Sequence, residues 1–168
     1  MKKLLILLLT LMPFIANAQN NRVTEICGVK FGSSYISAKY ILEARYGECD
    51  IDDEDGDILF LSKEYGGINF DIIGFRFNSS LLNHVLFTIL CETIEEARSA
   101  RDIIAEMLKK QYTLTQKKDH NGEIAFWGGS SPLNPDEYGF FVAIDRVEGF
   151  ENYPYGALLC FGPYGYGE

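Results

Sequence analysis

Residues 81–111, LLNHVLFTILCETIEEARSARDIIAEMLKKQ, place a strand and a helix back to back. In the first part Val85, Phe87, Ile89 and Cys91 alternate with Leu86, Thr88 and Leu90, the period-two pattern of a strand. Thr93-Ile94-Glu95-Glu96 then has capping-box spacing, in which the Thr side chain and the Glu side chain each accept a free backbone N–H of the other. Ala97, Ala100, Ile104, Met107 and Leu108 follow on one face, which predicts a helix ending near Gln111. Arg98, Arg101, Asp102, Glu106 and Lys109 fill the remaining positions.

Upstream, Val23 to Phe31 is β-rich and ends at Gly32. Ser33-Ser34 offers an N-cap, and Ala38, Ile41, Leu42 and Tyr46 continue at helical spacing. Gly47 suits the residue after that helix. Residues 48–57 read as an acidic loop, Ile58 to Leu61 as a short strand, and Tyr65-Gly66-Gly67 as a turn into a strand over Ile68 to Phe77. There the apolar phase passes from Ile68, Phe70 and Ile72 to Ile73, Phe75 and Phe77, which predicts a β-bulge beside Gly74. Asn78-Ser79-Ser80 turns the chain into the strand quoted above.

Downstream, Tyr112 to Lys117 and Glu123 to Trp127 flank His120-Asn121-Gly122, a hairpin turn. Gly128 to Glu137 reads as a loop, mobile over Gly128-Gly129-Ser130-Ser131, and Tyr138 to Val147 and Gly156 to Phe161 are the last strands. The expected fold is α+β, with two helices packed on one face of an antiparallel sheet. The order also predicts a duplication of a helix-plus-three-strand unit, over about 22–91 and 92–161. Residues 19–168 form a single domain on this reading, with a Tyr/Gly-rich tail at 162–168.

The chain opens with Lys2-Lys3, an apolar stretch from Leu4 to Ile15, and Ala16-Asn17-Ala18. This three-part pattern predicts a secretory signal peptide over residues 1–18, cleaved after Ala18. The apolar stretch falls short of the ~20 residues that span a bilayer. Secretion or a periplasmic location is therefore expected, without membrane insertion of the mature chain. Cleavage removes two Lys and no acid, so the net charge of −9 becomes −11. That balance argues against nucleic acid, which is held mainly by Lys and Arg neutralising phosphate.

Cys27, Cys49, Cys91 and Cys160 are an even number in an oxidising compartment, which favours disulfides. Three pairings are open. Cys27–Cys49 would tie the first strand to the far end of the first helix, and Cys91–Cys160 would join two strands. No CxxC signals zinc, and no cofactor is implied.

The stretch Gly28-Val29-Lys30-Phe31-Gly32-Ser33-Ser34, with Leu81 to Phe87 as a returning strand, resembles a group of small exported modules. The group includes the β-lactamase inhibitor protein and the small lipoproteins of outer-membrane assembly. The resemblance is one of organisation, covers about half the chain, and implies a protein-binding module without catalysis. This chain departs from those lipoproteins in having no Cys at the cleavage point.

Five acids in the loop, Asp50, Asp52, Asp53, Asp55 and Asp57, are the candidate metal ligands. With Gly56 at position six of a calcium loop, Ile51 takes position one and Ser62 position twelve, so both required carboxylates are missing. The acids read better as a solvated hairpin that protects a sheet edge. His84 and His120 are expected at turns, without metal-ligand spacing. Neither the Ser130-Ser131 pair nor the Asp136-Glu137 pair carries a catalytic motif, so no catalytic residue is assigned. Aromatic residues crowd the C-terminal third, where Trp127, Tyr153, Tyr155, Tyr164 and Tyr166 are the candidate binding residues. Loop Tyr side chains provide rigid amphipathic contact area at low entropic cost. The leading expectation is an exported, non-enzymatic module that binds an envelope or extracellular protein or another envelope component. The alternatives are an envelope hydrolase with a carboxylate or His site and a calcium-stabilised structural protein.

Overall fold

The computed structural model describes residues 22–52, 57–132 and 136–162. Residues 1–21, where a signal peptide is expected over 1–18, and the tail beyond Gly162 lie outside the described residues.

The β-rich start is a hairpin rather than one strand. β1 (Glu25–Ile26) pairs with β2 (Val29–Lys30), and the Cys27-Gly28 turn holds both residues at positive φ, 54° and 84°. Two successive left-handed residues match the right-handed twist of a two-residue hairpin. α1 (Tyr35–Tyr46) starts at Ser34, whose hydroxyl accepts from Ser37 N–H, and ends where Gly47 N–H donates to Glu43 O at 2.9 Å. α1 buries Ala38 and Leu42 and leaves Ile36 and Tyr40 at its surface.

The acidic stretch is not all loop, because β3 (Ile51–Asp52) pairs with β4 (Asp57–Tyr65). β4, β5 (Ile68–Asn78) and β6 (Leu81–Cys91) form a meander, turned at Gly66-Gly67 and Ser79-Ser80, all four at positive φ. The phase change in β5 does not need a bulge at Gly74. The buried side switches between Phe70 and Ile73, opposite Ser62 of β4, which sits at φ 53°. The register shift between β5 and β6 falls at Arg76/Phe77.

α2 (Ile94–Lys109) has the full capping box. Glu96 N–H donates to the Thr93 hydroxyl, and the Glu96 carboxylate accepts from Thr93 and Glu92 N–H. The helix buries Ala97, Ile104 and Leu108, as expected, half-buries Ala100 and Met107, and also buries Ala105 and Arg101. Its guanidinium donates to Ile124 O at 2.9 Å and to Asp102, and it lies 5.8 Å from the Phe126 ring centre.

A second meander follows, β7 (Leu114–Lys118), β8 (Ile124–Gly128), β9 (Phe140–Arg146) and β10 (Tyr155–Phe161). The eight strands make one antiparallel sheet in the order β3-β4-β5-β6-β10-β9-β8-β7. The last strands of the two meanders, β6 and β10, meet at its centre. The α+β expectation holds: two helices cover one face of an antiparallel sheet. Ala38 and Leu42 of α1 and Ile104, Ala105 and Leu108 of α2 join Phe60, Ile73, Phe87, Leu159, Val142 and Phe126 in one core. These six are successive cross-strand partners, one from each strand between β4 and β8.

Candidate functional site

Successive side chains in a strand point to opposite faces. Residues one position from the core row therefore face away from the helices. The register assigns them directly: Leu59, Gly74, Leu86, Cys160, Phe141, Trp127 and Thr115 run across seven strands. At ~4.8 Å between strands this row is about 29 Å wide. A second row, Leu61, Ile72, Thr88, Leu158 and Ala143, lies beside it on the same face.

No helix or strand among the described residues packs over these rows. Leu61 is 44% exposed, Leu59, Ile72, Leu86, Leu158 and Trp127 are half-buried, and Phe141, Cys160 and Thr88 are buried. Charge is kept to the margins. On one side Asp57 pairs with Arg76 at 3.4 Å, and Arg76 lies across from His84. On the other, Lys117 stands 5.5 Å from the Tyr138 ring centre.

His84 is inside β6, not at a turn. Burial, with Arg76 nearby, pushes its pKa down to about 4, so the ring is neutral at physiological pH. Burial pushes the Cys160 thiol up to about 12. The two line the same groove, but a protonated thiol beside a neutral imidazole is not a nucleophile and base pair of the thiolate–imidazolium kind. His120 does occupy a turn, tied by Asp119 carboxylate bonds to the N–H groups of Asn121 and Glu123. Ser130 and Ser131 are buried, which corrects the mobile-loop expectation. Val23 N–H donates to Ser130 O, Ser131 N–H donates to Glu137 O, and the Arg22 guanidinium reaches Pro132 O.

The candidate binding residues are not one surface. Trp127 joins Phe141, Ala143 and Leu158 on the open face. Tyr155 turns to the helix side and packs with Cys91, Ala97 and Ile144. Tyr153 closes the β9–β10 turn through a bond to Phe150 O and is 39% exposed. Tyr164 and Tyr166 lie outside the described residues.

The candidate metal ligands are also dispersed in role. The Asp50 carboxylate accepts from Leu61 N–H at 2.8 Å, and Asp57 faces Arg76. Asp52 pairs through its backbone, while Asp53 and Asp55 fall outside the described residues. Among the described residues no three His, Cys, Asp or Glu side chains are grouped to hold a metal ion.

The cysteines are all thiols. Cys27 Sγ lies 3.1 Å from Tyr46 Oη and Cys49 Sγ 3.6 Å from Glu43, so the expected Cys27–Cys49 bond is not formed. Nor is Cys91–Cys160. Cys91 has the parity of Phe87 and faces the helices, whereas Cys160 lies opposite Leu86 and faces the other way.

Comparison with known protein families, curated proteins and solved structures finds no match. No helix among the described residues is long and apolar enough to cross a membrane.

The open rows went unrecognised in the sequence because their membership depends on which strands adjoin. Trp127 was visible as a candidate. Its partners Leu59 and Leu86 come from strands far away in the chain.

Proposed function

We propose that this chain is an exported, non-enzymatic binding module whose partner is an envelope or extracellular protein docked on the open face of the sheet. The supporting observation is the pair of apolar rows from Leu59 to Trp127 and from Leu61 to Ala143, over which no helix or strand among the described residues packs, while their other side is packed under two helices. Apolar faces of this extent in monomers mark interaction sites. The Lys2-Lys3 to Ala18 pattern supports export. The helix-then-meander order, with β6 and β10 adjoining at the centre, supports a duplicated unit of the kind seen in the small exported modules that the chain resembles.

A photo-crosslinking residue placed singly at Thr115, Leu158 or Ile103 tests the reading in cells exporting the protein. Thr115 and Leu158 are on the open face, and Ile103 is exposed on α2. A common adduct from the first two, absent from the third, is expected. The same adducts from all three positions, or none from the open face, would overturn the assignment.

A further inference from the structure

Gly74 interrupts the longer open row. Its neighbours in the row are Leu59 on β4 and Leu86 on β6. Its φ is not in the left-handed region, so the backbone does not require glycine there. A Cβ at Gly74 would meet a single atom, the Leu59 Cδ2 at 2.9 Å, at the tip of a flexible side chain. Gly128 and Gly156 are different. A Cβ at Gly128 would strike Phe140 and Leu114, and one at Gly156 would strike Val147, Leu158 and Thr88. Glycine within a strand weakens it and marks a place where something else approaches closely. At Gly74 the missing side chain is the contribution.

The gap is a notch of about 190 Å³, walled by Leu59, Ile72, Leu86 and Cys160. A dry cavity of ~150 Å³ lined by Leu, Ile and Phe holds a benzene ring. The notch therefore admits one ring. Asp57, Arg76 and His84 complete its lining. Asp57 and Arg76 neutralise each other, and His84 is uncharged at neutral pH, so the lining carries no net charge and suits a neutral group. The wider surroundings are acidic. The chain carries a net charge of −9, and exposed Asp50 and Asp71 stand on the strands that wall the notch or directly beside them.

We infer that the notch over Gly74 receives a single aromatic side chain, of Phe or Tyr size, from a partner polypeptide in which that residue is flanked by Lys or Arg. The inference rests on the docking face proposed above and names its anchor point. A ring seated among Leu59, Ile72 and Leu86 is desolvated in a packed pocket, the setting in which anchor residues carry interface energy. Flanking cations face the acidic surroundings and speed encounter.

The probe is the peptide acetyl-Gly-Lys-Phe-Lys-Gly-amide, titrated into the full mature chain and followed by methyl NMR. Saturable shifts at the Leu59, Ile72 and Leu86 methyls are expected. Replacing Phe with Ala in the peptide should weaken binding at least tenfold, and replacing both Lys with Glu at least threefold. Gly74→Leu, which fills the notch, should abolish the shifts. Gly74→Ala displaces only the Leu59 tip and should weaken binding while folding as wild type. Shifts that are absent, insensitive to the loss of Phe, insensitive to the Glu exchange, or unchanged in both Gly74 variants would overturn the inference. Open-face crosslinks that persist in Gly74→Leu would overturn the notch alone and leave the docking face standing. Their absence from wild type would remove the face itself.

Discussion

Cys91 and Cys160 occupy the two central strands of the sheet and point to opposite sides of it. Cys91 is paired with Tyr155, five residues along β10 from Cys160. That offset is about 17 Å at ~3.4 Å per residue. A disulfide needs Cβ atoms ~4 Å apart with converging directions. Oxidation of the folded protein with copper phenanthroline should therefore give no Cys91–Cys160 link by non-reducing peptide mapping. Recovery of that linked peptide would mean that β6 and β10 are not paired in this register.

The α2 cap should be separable from the core. Thr93 satisfies the Glu96 N–H and lies at the surface, so Thr93→Ala removes a cap without opening a cavity. The expected loss is about 1 kcal/mol in urea denaturation, with an unchanged m-value. Thr93→Ser should recover most of it. An effect indistinguishable from zero would show that tertiary packing alone holds the first turn.

Arg101 should behave as a core residue despite its charge. Its side chain is nearly fully buried, and one nitrogen donates to Ile124 O. Arg101→Ala leaves that carbonyl without its charged donor and should cost about 2 kcal/mol. Arg101→Lys should not restore stability, because an ammonium cannot donate to Asp102 and Ile124 in the planar fork of a guanidinium. Full rescue by Lys in thermal unfolding would show that only charge matters at this position.

His84 should make the fold sensitive to mild acid. Its folded pKa is lowered from 6.5 to about 4, chiefly by burial and then by Arg76. Between these values the unfolded chain binds the proton and the folded one does not. Stability is therefore fully present above pH ~6.5 and declines as pH falls toward 4. Tm measured from pH 7 to 4 should fall less steeply in His84→Asn than in wild type. Parallel curves would show that His84 titrates alike in both states.

Local signals in the chain were readable where neighbouring residues satisfy one another. Thr93 and Glu96 are three positions apart, and the capping box forms as their spacing demands. Gly66-Gly67 and Gly122 turn the chain because left-handed backbone suits glycine. The alternation of Val85 to Cys91 marked β6 correctly. What failed involved distant partners. Arg101 lies off the apolar face read in the sequence, yet Ile124 and Phe126 arrive from β8 to cover it. Ser130-Ser131 looked loose, yet Val23 and Arg22 at the other end of the described chain hold that loop. Trp127 was grouped with the loop tyrosines, because composition does not reveal which face of a sheet a residue joins.

By itself the sequence determined the helices, their caps, the hairpin turns and the α+β class, since these depend on contacts within a few residues. Only the tertiary structure decided that β6 adjoins β10, and that pairing sets everything else. It separates Cys91 from Cys160, aligns Leu59 through Trp127 into one row on the face away from the helices, and leaves a notch at Gly74. The physical reason is the two-residue period of a strand. Alternation says that two faces exist, but only the register across strands says which residues share one.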